Sequence, residues 1–139
     1  MSNIVPSTYT MTALNVDLTQ PVSTNFLLGT TRFNETFIAI GCTIEITSLG
    51  STGTLPSISL GTVAGSYTDV AAAQPLTGPV GPITPGAPPY QVTGINTNGS
   101  PNFVSIQAQT AIYLQISLLS TVTPCTANIT LLGISYNTV

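Results

Sequence analysis

The sequence predicts an all-β fold, a jelly-roll type β-sandwich of about eight antiparallel strands. Apolar and polar residues alternate over short runs, which is the period of strands that have one face in a core. Clusters of Gly, Pro, Asn and Ser separate these runs, and no stretch has the apolar period of an amphipathic helix. With 139 residues, the chain is long enough for a single domain, residues 1–139, with its own core.

The N-terminal part contains two predicted strands. Residues 1–7 are expected to form a loose N-terminal arm, and the first strand follows over residues 9–18. The apolar members of this strand are Met11, Leu14, Val16 and Leu18. Pro21 ends it because proline cannot donate a ladder hydrogen bond. A second, short strand is predicted over residues 25–32.

The clearest alternation in the chain lies over residues 37–46 and predicts a central strand. One face holds Ile38, Ile40, Cys42, Ile44 and Ile46, and the other holds Phe37, Ala39, Gly41, Thr43 and Glu45. The turn cluster SLGSTG follows, and a further strand is predicted over residues 55–63 with Ile58 and Leu60 facing inward. Two such runs around a short turn predict a hairpin.

The middle of the chain is rich in proline. The alanine triplet at residues 71–73 is the one place where a turn of helix is expected. Residues 74–90, QPLTGPVGPITPGAPPY, hold six of the eleven prolines, which excludes a helix and a central strand there. Two interpretations stay open. This proline-rich extended loop either folds on its own domain or reaches a neighbouring subunit, since prolines lower the entropic cost of ordering such an arm.

The C-terminal third predicts the hairpin that closes the domain. It follows short strands over residues 91–95 and 103–108, which are separated by the turn sequence NTNGSP. Its first run places Ile112, Leu114, Ile116 and Leu118 on one face. Its second run places Ala127, Ile129 and Leu131 inward, until the apolar side switches near Gly133. A bulge is expected at such a glycine.

The composition excludes several classes of partner. Only 4% of the residues are charged, with Arg32 as the single cation, and 24 threonines and 13 serines supply the polar surface. An ordinary domain has about 25% charged residues. Nucleic acid and anionic membranes both require several basic residues, so no nucleic acid and no membrane partner is expected. The N-terminus lacks the features of a signal peptide, which predicts synthesis in a cytoplasm.

The side chains available for chemistry predict no enzyme, no metal and no cofactor. The chain has no histidine, which excludes a Ser-His-Asp or Cys-His arrangement within it. Cys42 and Cys125 lack the spacing of a zinc site, and both are expected as free thiols, although a bridge between them stays open.

Four carboxylates are present: Asp17, Glu35, Glu45 and Asp69. A glycosidase-type pair drawn from them is a weak alternative, because Glu35 follows Arg32 at the spacing of a surface ion pair. Asp69 has no acidic neighbour in sequence that would complete a calcium site.

Several segments follow one another in a recognisable order: GCTIEI, PSISLGT with SYTDV, the proline-rich residues, TAIYLQISLL and ANITLLGISY. Over residues 37–136 this order resembles that of the small jelly-roll cement or decoration proteins on the heads of tailed bacteriophages. The resemblance implies a viral structural protein in the virion, made in the host cytoplasm and added to the outer capsid surface. It implies contacts with the major capsid protein, often as a trimer at a symmetry axis, and no catalytic residue.

Apolar residues predicted on the second face of the strands are candidate contacts with other subunits or with the capsid. They are Phe37, Tyr113, Leu132, Ile134 and Tyr136, together with Pro79, Pro82, Pro85, Pro88 and Pro89 of the proline-rich segment. The resemblance implies a homotrimer, and a neutral surface rich in hydroxyl groups suits close packing against copies of itself or a scaffold. The alternative is a phage tail or receptor-binding tip protein that binds carbohydrate through Tyr67, Tyr90 or Tyr113.

Overall fold

The computed structural model describes residues 6–76, 81, 90–96 and 104–137, with the backbone alone for residues 90–96. Nine strands cover these ranges: β1 (Ser7–Asp17), β2 (Asn25–Thr30), β3 (Glu35–Leu49), β4 (Ser57–Gly61), β5 (Ala71–Pro75), β6 (Tyr90–Asn96), β7 (Val104–Ile106), β8 (Ala111–Leu118) and β9 (Cys125–Asn137). No helix occurs within the described ranges.

The strands form two antiparallel sheets, which confirms the predicted all-β sandwich. Sheet A has the order β1-β9-β3-β6, and β7 pairs with β3 beside β6. The strands β6 and β7 share one edge because β6 pairs with Gly41–Ile46 and β7 pairs with Phe37–Ala39. Sheet B has the order β2-β8-β4-β5. Strands that follow one another in sequence therefore often lie in different sheets.

The core lies between the inward faces of the two sheets. Each large aliphatic side chain there gains about 1.5–3 kcal/mol from leaving water. The inward faces predicted for the terminal runs and for the strand over residues 55–63 are confirmed except at Leu118, which is 53% exposed at the end of β8. Their buried members are Ile58, Leu60, Ile112, Leu114, Ile116, Ala127, Ile129 and Leu131.

Neither predicted hairpin forms. The strands β3 and β4 belong to different sheets, and so do β8 and β9. The chain crosses from one sheet to the other through residues 50–56 and 119–124. The prediction was wrong because two alternating runs look the same in sequence whether they pair edge to edge or face each other across a core.

The bulge predicted at Gly133 does not form, although the apolar residues change from the inner to the outer face there, with Leu132, Ile134 and Tyr136 outward. Inward and outward residues alternate without interruption along β9. The bulge lies in the neighbouring strand, where Ile40 is an extra residue between Ala39 and Gly41. Strand β3 therefore buries Phe37 and Ala39 before the bulge and Cys42, Ile44 and Ile46 after it.

Two further predictions are corrected. The alanine triplet does not form a helical turn but begins β5, which pairs with β4. The first strand begins at Ser7, inside the predicted arm, and residues 1–5 lie outside the described ranges. A bulge between Ala13 and Val16, with Asn15 at a φ of 52°, leaves Leu14 69% exposed although it was expected among the apolar members.

Candidate interaction surface

The outer face of sheet A is built mainly from threonines and aliphatic residues. We call it the threonine face. It consists of Thr8, Thr10, Thr12, Asp17, Thr36, Ile38, Gly41, Thr43, Glu45, Thr47, Thr126, Asn128, Thr130, Leu132, Ile134 and Tyr136. Every second residue of β1 and β9 belongs to it, because successive side chains of a strand point to opposite faces.

Threonines on this face stand next to one another across the strands. Thr12, Thr130 and Thr43 occupy one row over β1, β9 and β3. The Thr12 and Thr130 hydroxyl oxygens lie 3.1 Å apart, within hydrogen-bond distance. Those of Thr47 and Thr126 lie 2.9 Å apart. These pairs fix hydroxyl positions on the surface without any ionic contact.

Apolar side chains occupy the same face nearer the C-terminus. Ile134 pairs with Ile38, and Leu132 lies between Thr10 and Gly41 in the next row. Leu132 is 38% exposed, and Ile134 and Tyr136 are partly exposed. Three of the predicted contact residues, Leu132, Ile134 and Tyr136, are therefore on one surface.

The other predicted contact residues lie elsewhere. Phe37 is 1% exposed and packs in the core, because the Ile40 bulge reverses the expected phase of β3. A Cβ atom on Gly133 would collide with the Phe37 ring. Tyr113 lies on the outer face of sheet B. The five proposed prolines Pro79, Pro82, Pro85, Pro88 and Pro89 lie outside the described residues.

The outer face of sheet B is covered at β4 by residues 62–70, which we call the covering loop. Tyr67 is 9% exposed, and its ring lies 5.0 Å from that of Tyr113. The loop backbone comes so close to Gly61 that a Cβ atom there would collide with Tyr67. Tyr67 therefore presents no open ring for stacking on a sugar. For Tyr90, the structure describes the backbone alone.

Asp69 holds the covering loop in place. Its carboxylate accepts hydrogen bonds from the Thr62 amide at 2.7 Å and from the Thr62 hydroxyl at 2.5 Å. Partial burial raises the pKa of Asp69, but the hydrogen bonds from Thr62 and Val63 together lower it by more. The pKa therefore lies below its usual value. The sequence signal for this arrangement is Gly61-Thr62 followed by Asp69, which we did not predict.

The single cation of the chain lies at the start of β3. Arg32 is 3.8 Å from Glu35, which confirms the expected ion pair, and its guanidinium lies 4.2 Å from the centre of the Tyr9 ring. The hydroxyl of Ser135 donates a hydrogen bond to the same carboxylate. These contacts join the turn before β3 to β1 and β9.

Asp17 is likewise held by its neighbours. Its carboxylate accepts hydrogen bonds from the hydroxyl and amide of Thr19 and from the side chain of Gln20, which lower its pKa. Three of the four carboxylates thus have local partners. Glu45 lies on the threonine face.

The two cysteines are buried and free. Burial raises the pKa of Cys42 to about 12 and also raises the pKa of Cys125. Among the described residues, no group of three or more His, Cys, Asp or Glu side chains could hold a metal ion. The part of the chain described here also contains no helix of the length and apolarity that crossing a bilayer would need.

Comparisons with known proteins find a structural similarity. No protein-family model and no curated protein matches the chain. The chain is similar to one in the solved structure titled "Cyanophage Pam1 capsid asymmetric unit", with 15% sequence identity and a TM-score of 0.45. The match covers 97% of this chain and 85% of that chain.

Proposed function

We propose that this protein is a cement or decoration protein of a tailed-phage head, a jelly roll that binds the outer capsid surface and stabilises contacts between major capsid proteins. The observation that carries the proposal is the threonine face. It is a broad sheet surface on which Asp17 and Glu45 are the two charged side chains among the described residues, and the apolar residues Ile38, Leu132, Ile134 and Tyr136 stand together on it. Such a surface gains affinity from close packing rather than from ion pairs.

The sheet topology supports the jelly-roll assignment. The chain crosses repeatedly between the sheets, and the orders β1-β9-β3-β6 and β2-β8-β4-β5 place the first and last strands side by side. Two interlocked Greek keys produce such an order. The order of segments that resembles head decoration proteins is compatible with it.

The near absence of charge supports a structural role in the virion over a role in solution. A monomer that diffuses freely keeps apart from its neighbours through mixed surface charges, and this chain has five charged residues in all, one basic and four acidic. We propose homotrimers with the major capsid protein as partner, and neither nucleic acid nor a membrane.

Binding to capsids tests the proposal. The purified protein should co-sediment with shells assembled from the phage's major capsid protein, and binding should persist from about 0.1 M to about 1 M salt, because few ionic contacts are there to be screened. Cryo-microscopy should then find density at local symmetry axes. Shells that stay bare would contradict the proposal, and binding of the protein to a glycan array would then favour the tail or receptor-binding alternative.

A matched pair of variants locates the contact. Leu132→Glu places a charge among the apolar residues of the threonine face, and we expect it to weaken capsid binding at least tenfold, in the range of an interface hot spot. Leu119→Glu changes a side chain of similar exposure, 44%, away from that face and should bind as the wild type does. Equal binding by both variants would remove the threonine face from the proposal.

A further inference from the structure

The edge strands of the two sheets differ in how well they are protected against pairing. The strand β2 has six residues and a bulge after Leu27, and β5 has five residues and ends at Pro75. At the far edge of sheet A, β7 has three residues and β6 has a bulge opposite the step from Cys42 to Ile44. Short strands, bulges and prolines are the usual devices that prevent edge-to-edge association.

The first seven residues of β1 carry none of these devices. Ser7–Ala13 pair with β9 in unbroken register, from Ser135 to Ile129. This run, STYTMTA, contains no charge, no glycine and no proline. Pro6 precedes it, and the bulge that begins after Ala13 ends it. An unbroken and uncharged edge is a template for another strand.

Two hydrogen bonds show which groups of β1 point to the free edge. The Leu18 amide donates to the Cys125 carbonyl at 2.9 Å, so Cys125 turns towards β1. The Gly50 amide donates to the Pro124 carbonyl at 2.8 Å, on the β3 side. Because β9 has no bulge, its odd-numbered residues continue to face β1.

The β1 partners of those odd-numbered residues are Ser7, Tyr9, Met11 and Ala13. The intervening residues Thr8, Thr10 and Thr12 therefore turn their backbone N–H and C=O groups outward. Within the described ranges, β9 is the one strand paired with β1. The free edge thus presents three donor and three acceptor groups at regular spacing.

We propose that the edge of β1 binds β1 of a second copy of this chain, antiparallel, about a two-fold axis at Thr10. The unbroken run is symmetric about Thr10, because the residues that flank it, Pro6 and Leu14, are equally distant from Thr10 in sequence. Pairing of the whole run places Thr10 opposite Thr10 of the partner subunit and Thr8 opposite Thr12 of the partner subunit. About six backbone hydrogen bonds result, two for each pair of outward-facing residues.

A second copy fits this edge through both backbone and side chains. In the proposed register, threonine meets threonine at every outward position on the threonine face, and no like charges are opposed. The same kind of pair already forms inside the subunit, where the Thr12 and Thr130 hydroxyl oxygens are 3.1 Å apart. The two threonine faces would become one continuous surface. This pairing does not depend on the proposed capsid role, and it would join trimers as readily as single chains.

Cysteine cross-linking tests the register. Residues in a hydrogen-bonded antiparallel pair have Cα atoms about 5.5 Å apart, which is within the range of a disulfide. Thr10→Cys should give a covalent dimer under mild oxidation, while Cys42 and Cys125, which are buried, should not react. Thr30→Cys, exposed at the end of β2, is the control. Cross-linking of Thr10→Cys no faster than of the control would overturn the proposal.

A charge exchange provides an independent readout. Thr10→Glu and Thr10→Lys each place like charges opposite each other at the axis, so the mass measured by light scattering should fall to half that of the wild type. A mixture of the two variants should restore the mass, because the charges then attract. Thr30→Glu should keep the wild-type mass. An unchanged mass for both Thr10 variants, with unfolding midpoints like the wild type, would contradict the pairing.

Discussion

The outer faces of the two sheets differ although their inner faces are built alike. On sheet A the outward residues of β1, β9 and β3 form the open threonine face. On sheet B the covering loop lies against Gly61, and Tyr67 packs on Tyr113. Sheet B therefore uses part of its outer face for the stability of its own domain. On sheet A, Leu132, Ile134 and Tyr136 of the outer face stay exposed or partly exposed.

Two glycines, one on the outer face of each sheet, show this difference. Gly61 lies on the outer face of sheet B, and an added Cβ would collide with the backbone of Tyr67 and with Asp69. Gly41 lies on the threonine face, and an added Cβ would meet nothing within 4 Å. The same substitution thus tests a covered face and an open one.

The largest effect is expected for Gly61→Ala. Because the two obstructing atoms of Tyr67 belong to the loop backbone, they cannot move aside by a side-chain rotation, and we expect a loss of about 3 kcal/mol in the free energy of unfolding. Gly41→Ala should be neutral or stabilising by up to about 1 kcal/mol, since alanine restricts the unfolded chain more than glycine does. Urea unfolding measures both. Equal effects would mean that the covering loop does not rest on Gly61.

A smaller, pH-dependent effect is expected for Asp69→Asn. The amide loses the charge-assisted bond from the Thr62 hydroxyl, and we expect a loss of about 0.5–1 kcal/mol near pH 7, reduced by the solvent exposure of the site. The pKa of Asp69 is lowered from 3.8 in the folded state, so its contribution is present above pH 3.8 and is lost as the pH falls through the folded value.

Denaturant unfolding at several pH values checks this prediction. The stability difference between wild type and Asp69→Asn should shrink below pH 3.8, where the wild-type carboxylate also becomes neutral. A difference that stays constant down to pH 2 would show that the charge of Asp69 does not hold the loop.

The smallest effect is expected on the open face. A double-mutant cycle with Thr12→Val and Thr130→Val should give a coupling free energy of about 0.5 kcal/mol, because the pair of hydroxyls at 3.1 Å is exposed to water. The pair Thr47 and Thr126 gives a second cycle of the same kind. A coupling above about 1.5 kcal/mol in either cycle would mean that the threonine face contributes to domain stability as the covered face does.

The inward faces were predictable wherever a strand is regular. Ile112, Leu114 and Ile116 in β8 alternate with polar residues, and burying them is the one way to remove the apolar side from water. The candidate surface was predictable in part, since Leu132, Ile134 and Tyr136 share a face in sequence and in space.

Phe37 shows where prediction from the sequence ended. In the alternation of residues 37–46, Phe37 falls on the face that was expected to point outward. Ile40 is an extra residue opposite β9, and this turns the side chains of Phe37 and Ala39 inward. Gly133 opposite this step leaves room for the Phe37 ring. The sequence of β3 alone cannot predict this bulge, because a bulge depends on how the strand pairs with its neighbour β9.

By itself, the sequence determined that the protein is a β-sandwich with few charges, because alternation and composition are local properties of the chain. The tertiary structure decided which runs pair, where β3 bulges, which outer face the covering loop packs on, and that β9 alone pairs with β1 among the described residues. These features depend on strands that are far apart in sequence, and strand pairing is fixed by the packing of the whole core.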